Sequence, residues 1–358
     1  MSDKVLMKGN IAIAKAAIDA GLDCYFAYPI TPQNEIGEYM SKAMTDLNRA
    51  YVNAESELAA INMVIGACAC GKKAMTSSSS CAVALMQEAF SAMASAEIPG
   101  VLISVMRAGP GLGNITPSQA DYFQATKGGG NGDYHSIVLA PSTIEEAVEH
   151  VHRVLNLAWK YRNPAILLAD GTLGQMMEPV EFKQFNFEKI DSSSWELTGV
   201  GENENKRPPR KLVSLHMQGN DLIVLNKKLQ EKYKTIEENE VLYEEFMMED
   251  AEIMITAFGT VARVAKSAIL TLREKGIKIG LIRPITLWPF PKEVIKKYAK
   301  QVKLILDVEM NEGQMALDVK ASIDTPVQFE ILSKMGGEIV RANDICNKIM
   351  ELELLCKK

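Results

Sequence analysis

Short, continuously apolar segments alternate with longer segments of helical periodicity over the first half of this chain. The apolar segments predict buried strands at residues 24–28, 101–105 and 165–170. Apolar positions at helical spacing predict helices at residues 11–20, 58–70, 82–96 and 143–159. Strands and helices in this alternation predict a doubly wound α/β domain built on a parallel sheet.

The alternation stops near residue 182 and resumes near residue 251. The polar segment 182–209 predicts an extended arm, and the Glu- and Lys-rich segment 225–250 predicts a charged helix, which we interpret as a solvated connector. A second, smaller α/β unit is then predicted, with strands at 253–257, 277–282, 302–308 and 327–332 and helices at 261–275 and 345–355. The predicted organisation is a first domain at 1–185, an arm with a charged helix at 186–250 and a second domain at 251–358.

The composition agrees with a globular protein of two domains. The chain has 358 residues, more than one compact core usually holds, with 47% hydrophobic and 23% charged residues. A net charge of -6 argues against a broad nucleic-acid surface, which needs clustered Lys and Arg. The sequence shows neither a long apolar run nor a secretory signal, so we expect a cytoplasmic protein without a membrane or nucleic-acid partner.

The cysteines and histidines do not predict a metal centre or a cluster on this chain. Of six cysteines only Cys68 and Cys70 are close in sequence, and they lie in an apolar helical pattern. Iron–sulfur clusters need grouped thiolates, so we expect six free thiols. The four histidines lack metal-ligand spacing on one helical face. Any electrons that this protein handles must therefore leave through another chain.

The first candidate site segment is the turn Tyr28-Pro29-Ile30-Thr31-Pro32, directly after a predicted strand. Thr31 suits a helix cap, and Pro32 suits the first helical position. The segment would then join strand to helix at the carboxyl end of a parallel strand, where open α/β sheets bind ligands. A merely stiff turn is the alternative.

The second candidate is a pair of glutamates, Glu55 and Glu57, where the helix predicted at 58–70 begins. A carboxylate at a helix start is stabilised by the exposed backbone amides. Taken alone, this segment is better explained by a capping glutamate without any other role.

A hydroxyl run and an arginine complete the candidate set. Residues 76–80, which include Ser78 and Ser79, precede a predicted helix and could hold a polar ligand or simply cap that helix. Arg107 follows the strand at 101–105, where its fork of donors could bind a carboxylate. The glycines at 109, 111 and 113 allow close backbone approach but do not match the dinucleotide fingerprint.

Taken together and in this order, these motifs resemble the alpha subunits of 2-oxoacid:ferredoxin oxidoreductases. The resemblance includes the turn at 28–32, Glu57 with Gly66 nine residues later, the hydroxyl run and Arg107, and continues in the segments 283–291 and 308–314. The segments 76–81, 109–114 and 171–177 look like the branched-chain type, which acts on 2-oxoisovalerate. No second arginine is evident to pair a distal carboxylate, which favours an apolar substrate side chain.

The resemblance implies a thiamine-diphosphate pyrimidine-binding domain followed by a domain like the C-terminal domain of transketolase. It implies that Glu57, rather than Glu55, is catalytic and hydrogen-bonds the cofactor's pyrimidine ring. It further implies that Thr31 and Arg107 bind the substrate carboxylate, and that the cofactor is contacted by Tyr28, Pro29, Ile30, Ser78 and Ser79.

The resemblance also implies a division of labour among chains. A beta subunit would bind the diphosphate end of the cofactor with Mg²⁺, and a small ferredoxin-like gamma or delta subunit would carry [4Fe-4S] clusters. The expected reaction converts 2-oxoisovalerate and coenzyme A into isobutyryl-CoA and carbon dioxide, with ferredoxin reduced. Alternatives are the same reaction on 2-oxoglutarate or another 2-oxoacid, a nucleotide- or flavin-binding electron-transfer protein, and a non-catalytic scaffold subunit.

Overall fold

A seven-stranded sheet forms the centre of the first half of the computed structural model, which describes residues 4–201 and 206–356. All neighbouring strands are parallel except the first pair. Their spatial order is β12 (Thr286–Trp288), β6 (Ile137–Leu139), β7 (Pro164–Asp170), β5 (Gly100–Met106), β4 (Ala74–Ser78), β2 (Cys24–Ala27) and β3 (Ala50–Asn53). The predicted parallel α/β sheet is confirmed, and all of its strands except the edge strand β3 are buried along their lengths.

Helices connect these strands, and the longest of them begins where the sequence predicts. Thr143 caps it by accepting a hydrogen bond from the Glu146 amide at 3.1 Å. The helices are α1 (Gly9–Asp19), α2 (Asn34–Asp46), α3 (Glu57–Ala69), α4 (Ser80–Ala84), α5 (Gln87–Ala96), α6 (Tyr122–Thr126), α7 (Ile144–Tyr161) and α8 (Gly171–Gln175). A small antiparallel pair, β1 (Val5–Lys8) and β8 (Met177–Val180), lies beside α1.

A five-stranded sheet organises the second half. Its order is β14 (Gln328–Ser333), β13 (Leu304–Glu309), β10 (Ile253–Thr256), β11 (Ile279–Pro284) and β9 (Tyr243–Phe246), with only β9 antiparallel to its neighbour. The remaining helices are α9 (Asp221–Asn239), α10 (Gly259–Glu274), α11 (Lys292–Ala299), α12 (Gln314–Ala321) and α13 (Ala342–Cys356). The sheet buries its own apolar cluster against α10 and α13.

Two predicted helices differ from the structure. The single helix predicted at 82–96 is wrong, because helical hydrogen bonding is interrupted at Leu85 and Met86 and two helices result. Both residues keep right-handed helical backbone angles. Neither is a glycine or a proline, so the sequence gives no sign of the interruption. The helix predicted at 225–250 is wrong at its end, since α9 stops at Asn239 and β9 follows.

The interpretation of this helix as a solvated connector is also wrong. Leu229, Tyr233 and Ile236 form a buried stripe along α9 at helical spacing. The arm before it contains no helix or strand among residues 181–201 and 206–220. The polar stretch at 202–205, which belongs to the predicted arm, lies outside the described residues.

The cysteines whose side chains are described are free thiols, as predicted. They are Cys24, Cys68, Cys70, Cys81 and Cys346.

One buried arginine joins elements from three parts of the chain. Arg283 on β11 is 2% exposed and donates from both terminal nitrogens to Glu146 at 2.7 and 2.8 Å. Its Nε donates to Glu244 on β9 at 2.7 Å. Burial alone would raise the pKa of Glu146, but the Arg283 guanidinium lowers this pKa to about 2. Arg283 therefore connects α7 of the first half to both the second sheet and the strand that follows α9.

Replacing Arg283 by Ala is expected to lower the free energy of unfolding by about 2–5 kcal/mol, because it empties a buried site and leaves the partly buried Glu146 carboxylate without its cation. The matched control is Arg263→Ala, which breaks a half-exposed pair with Glu178 and should change the stability by about 1 kcal/mol or less. Urea unfolding of both variants measures the difference. Equal losses of unfolding free energy in the two variants would show that Arg283 contributes no more than an ordinary surface ion pair.

Candidate active site

The candidate residues lie along the carboxyl ends of four neighbouring strands. The helix carrying Glu57 follows β3, the turn with Thr31 follows β2, the hydroxyl run ends β4 and Arg107 follows β5. Neighbouring strands are about 4.8 Å apart, so this row extends over about 14 Å. The order of the strands explains how segments up to 80 residues apart in sequence reach one edge of the sheet.

The turn after β2 does not cap a helix in the way predicted. α2 begins at Asn34 with Gln33 in the cap position, so the predicted roles of Thr31 as cap and Pro32 as first helical residue are wrong. The turn is instead held by side chains from other elements. The Pro32 carbonyl accepts hydrogen bonds from Asn10 at 2.7 Å and from Gln175 at 2.9 Å. These bonds fix the segment more firmly than a local cap would.

A cavity of about 330 Å³ lies beside this turn, between α2 and the β2–β3 edge of the sheet. Tyr28 and Pro29 line it, together with Tyr25 and Tyr51. Ile30 is half-buried and does not belong to the lining. Of the three residues predicted here as cofactor contacts, two therefore face an open space.

Glu57 occupies the first helical position of α3, where Ser56 caps the helix by accepting from the Ala59 amide at 3.1 Å. Glu57 as a whole residue is only 9% exposed, whereas Glu55 is exposed. Within the described part of the chain, the Glu57 carboxylate has no hydrogen-bond partner. The oxygens of this carboxylate are not among the fully buried unpartnered atoms, so they remain open to a ligand from outside this chain.

The hydroxyl groups of residues 76–79 form two pairs with different surroundings. The Thr76 hydroxyl donates to a backbone carbonyl of β2 at 2.7 Å, and the Ser77 hydroxyl is 2.5 Å from the Tyr25 hydroxyl. Both therefore stabilise the sheet. The hydroxyls of Ser78 and Ser79 are fully buried and have no partner among the described residues. These two retain hydrogen-bonding capacity for a ligand.

Arg107 and Thr31 are in direct contact, although through the backbone of Thr31. The guanidinium donates from Nη1 to the Thr31 carbonyl at 3.0 Å, and from Nη2 to the Leu112 carbonyl and the Cys81 Sγ, both at 3.0 Å. Its Nε is buried and has no partner in the described chain. The arginine is thus held in place at its tip, and two of its five N–H donors, one on Nε and one on Nη1, remain unused.

Asp121 is a buried acid near this site that sequence reasoning missed. It is 8% exposed, and the Ser80 hydroxyl lies 2.5 Å from its Oδ2. Burial raises the pKa of Asp121 to about 6, while the Ser80 hydrogen bond and the charge of Arg107 limit the rise. Ser80 belonged to the hydroxyl run but was not selected, and a single acid 14 residues after Arg107 gives no signal in sequence.

Solved structures define the class of this fold. The chain aligns over 98% of its length, with a TM-score of 0.87 and 27% identity, with 65% of a chain of the 2-oxoglutarate:ferredoxin oxidoreductase from Magnetococcus marinus, whose structure holds 2-oxoglutarate, coenzyme A and succinyl-CoA. A split-gene transketolase, an inactive tetramer, aligns over 96% of the chain with a TM-score of 0.57 at 12% identity, which shows the fold alone. The fold is that of the thiamine-diphosphate-binding α/β enzymes.

Sequence comparisons define the family. Residues 15–247 match the model of the thiamine-diphosphate-binding domain of pyruvate flavodoxin/ferredoxin oxidoreductases, and residues 251–345 match core domain II of pyruvate:ferredoxin oxidoreductase. The chain belongs to the 2-oxoacid:ferredoxin oxidoreductases, as an enzyme subunit. Membership confirms the family resemblance and rejects the electron-transfer alternative.

The curated relatives match the chain nearly end to end. Ketoisovalerate oxidoreductase subunits VorB from Methanothermobacter marburgensis and Methanothermobacter thermautotrophicus are 48% and 45% identical over 97% of both chains. The 2-oxoglutarate synthase subunit KorA of Methanothermobacter marburgensis is 32% identical over 99% of this chain and all of its own length.

Among the described helices, none is long and apolar enough to cross a membrane.

Asp121→Asn is expected to stabilise the chain in a pH-dependent manner. The folded pKa of about 6 lies above the unfolded value of about 3.9, so the cost of ionising the buried acid is absent below pH 4 and complete above pH 6. The variant should gain up to about 3 kcal/mol of unfolding free energy at pH 8 and little at pH 4.5. Urea unfolding at both pH values measures the gain. A loss of stability at pH 8 would show that the ionised carboxyl is not penalised.

Proposed function

We propose that this chain is the alpha subunit of a thiamine-diphosphate-dependent enzyme that oxidatively decarboxylates 2-oxoisovalerate with coenzyme A and reduces ferredoxin. The observation that carries the proposal is Glu57, a largely buried residue at the carboxyl edge of the sheet whose carboxylate has no partner among the described residues. Relatives at 45–48% identity are named for ketoisovalerate, whereas those named for 2-oxoglutarate are 32–33% identical. This difference favours the branched-chain substrate over 2-oxoglutarate.

The residues present fit the cofactor that the family domain binds. Glu57 would accept or share a proton with a ring nitrogen, and the unpartnered hydroxyls of Ser78 and Ser79 would hydrogen-bond polar ring atoms. Tyr28 and Pro29 would contact the ring from the adjoining turn, with Ile30 packing behind them. When bound, thiamine diphosphate supplies the carbon nucleophile that a 2-oxoacid needs for decarboxylation.

The residues of this chain then have separate roles in the reaction. Glu57 exchanges a proton with a ring nitrogen of the cofactor. Arg107 binds the substrate carboxylate, and its contact with the Thr31 carbonyl keeps the guanidinium in a fixed orientation. The Thr31 hydroxyl provides a further donor to the same carboxylate. These roles require that substrate binds near the β5 end of the row.

Exposed apolar side chains surround the candidate site. Leu58 follows Glu57 directly and is 44% exposed, and Leu112, whose carbonyl holds Arg107, is 80% exposed. Leu85 and Ile115 are also more than half exposed. Large apolar side chains around a polar site are typical of a protein interface. They support completion of the site by a second subunit.

That subunit, in our proposal, is a beta chain that binds the diphosphate end of the cofactor with Mg²⁺. A small gamma or delta subunit carries [4Fe-4S] clusters and passes electrons to ferredoxin, in a cytoplasmic complex. Within this chain the cofactor domain comprises residues 1–185, the connecting arm residues 186–250 and the second α/β domain residues 251–358. These boundaries remain predictions.

Glu57→Gln is expected to reduce turnover of the assembled enzyme by at least about 10³-fold, because an amide cannot take up the proton. Glu55→Gln is the matched control, since Glu55 is exposed two residues away, and it should retain near-normal turnover. Reduction of ferredoxin by 2-oxoisovalerate and coenzyme A measures both. Size-exclusion chromatography should show intact assemblies. Near-normal turnover of Glu57→Gln in an intact assembly would overturn the proposal.

The enzyme is expected to prefer 2-oxoisovalerate to 2-oxoglutarate by well over tenfold in kcat/KM, because the distal carboxylate of 2-oxoglutarate would be buried without a partner. Removing one methyl group from the substrate, as in 2-oxobutyrate, should cost only about 10–200-fold. Steady-state kinetics with the three substrates tests this order. A preference for 2-oxoglutarate would shift the assignment to the alternative substrate.

A further inference from the structure

We propose that Asp121 is a positioning residue that holds Arg107, through the Ser80 hydroxyl, in the orientation needed to bind the 2-oxoacid carboxylate. The inference rests on the proposed function, because it assigns a purpose to contacts around the proposed substrate-binding arginine. Asp121 itself does not touch Arg107 by a hydrogen bond.

The Ser80 hydroxyl lies at the centre of three contacts. It accepts a hydrogen bond from the Arg107 amide at 2.9 Å, and it is 3.0 Å from the Arg107 carbonyl and 2.5 Å from Asp121 Oδ2. A hydroxyl has a single proton, so it cannot donate to both oxygens at once. An ionised Asp121 takes this proton in a short, charge-assisted bond, which leaves the hydroxyl oxygen free to receive the Arg107 amide.

The backbone of Ser80 is held in an unfavourable conformation. Its φ is +29°, in the left-handed region that favours glycine. Such a conformation persists only where the surroundings over-determine it, and it is concentrated at functional sites. Here the hydroxyl contacts supply that constraint, and Gln124 donates to the Ser80 carbonyl at 3.3 Å. The strained serine therefore indicates a function for its hydroxyl.

The same short segment holds both ends of Arg107. Ser80 binds its backbone, and the adjacent Cys81 Sγ contacts the guanidinium at 3.0 Å. A shift of this turn would consequently displace the whole arginine. Small displacements of a substrate-binding group reduce binding strongly, because a bidentate contact needs accurate geometry.

Asp121 is a suitable anchor because the chain around it is tied to the second half of the protein. Gln119, two residues earlier, exchanges hydrogen bonds with the backbone of Met310 at 3.1 and 3.2 Å. Tyr122, the next residue, donates to Asp318 at 2.5 Å. The position of Arg107 thus depends on the packing of both α/β units.

Ser80→Gly in the assembled enzyme tests the inference most sharply. Glycine accepts the observed φ without strain, so the substitution removes the hydroxyl while it relieves the backbone. We expect the KM for 2-oxoisovalerate to rise about tenfold or more, with kcat within about threefold, and the melting temperature to fall by no more than a few degrees, because relief of the backbone strain offsets part of the lost hydrogen bonds. A purely structural serine would give a wild-type KM in this variant, and that result would overturn the proposal.

Two variants of Asp121 separate the hydrogen bond from general packing. Asp121→Ala removes the acceptor and should raise KM as Ser80→Gly does. Asp121→Asn keeps an amide oxygen that accepts from Ser80 and should recover KM to within about threefold of wild type. The double variant Ser80→Gly with Asp121→Ala should be no worse than either single variant, because both act through one bond. Additive losses, or an Asp121→Asn variant as defective as Asp121→Ala, would contradict the relay, that is, the action of Asp121 on Arg107 through Ser80.

Arg107→Lys, measured in the same assay, distinguishes failure of the Asp121 proposal from failure of the proposed function. If it raises KM while Ser80→Gly and Asp121→Ala do not, the relay is wrong and the proposed function stands. If Arg107→Lys leaves KM unchanged, both the substrate role of Arg107 and the relay are wrong.

Discussion

The arrangement of the candidate site depends on one feature, the placement of Glu57 at the sheet edge with a carboxylate that has no hydrogen-bond partner among the described residues. Such a carboxylate, held by a largely buried residue, is available to a ligand or a partner. The cap provided by Ser56 and the tie between the Ala54 amide and the Ala27 carbonyl, at 2.8 Å, keep the acid at the sheet edge. The fold holds Glu57 in place before anything binds.

The rest of the row has a consistent physical character. At one end Glu57, Ser78 and Ser79 retain unused hydrogen-bonding capacity, and at the other end Arg107 is fixed by three internal acceptors and has two free donors. Exposed leucines adjoin both ends. Unsatisfied polar atoms beside exposed apolar side chains agree with membership of a family whose relatives are named as enzyme subunits.

Sequence patterns predicted the parts of this fold that depend on local composition. The apolar runs at 101–105 and 165–170 are strands because only a sheet covered on both faces buries such runs completely. A helix start near Glu55 and Glu57 was a recognisable local signal, but only the family resemblance, through the spacing to Gly66, distinguished Glu57 from its neighbour. The break between α4 and α5 carries no such signal, and neither does the pairing of β9 with β11, which depends on Arg283 and Glu244 meeting across 39 residues.

The contacts of Asp121 belong to the same non-local category. Nothing in its neighbourhood along the chain distinguishes it from other acids, and the contacts of its neighbours Gln119 and Tyr122 with the second α/β unit are visible only in the structure. Strain at Ser80 likewise becomes visible only with backbone angles. Features of this kind lie where local preferences and the global fold disagree, and functional residues are often found at such places.

The distance between Glu57 and the bound cofactor in an experimental structure of the assembled enzyme tests the central claim most directly. We expect a carboxylate oxygen of Glu57 within about 3.2 Å of a ring nitrogen of thiamine diphosphate, in a crevice closed by the second subunit. A Glu57 side chain that faces water, with the ring bound to another acid, would contradict the account.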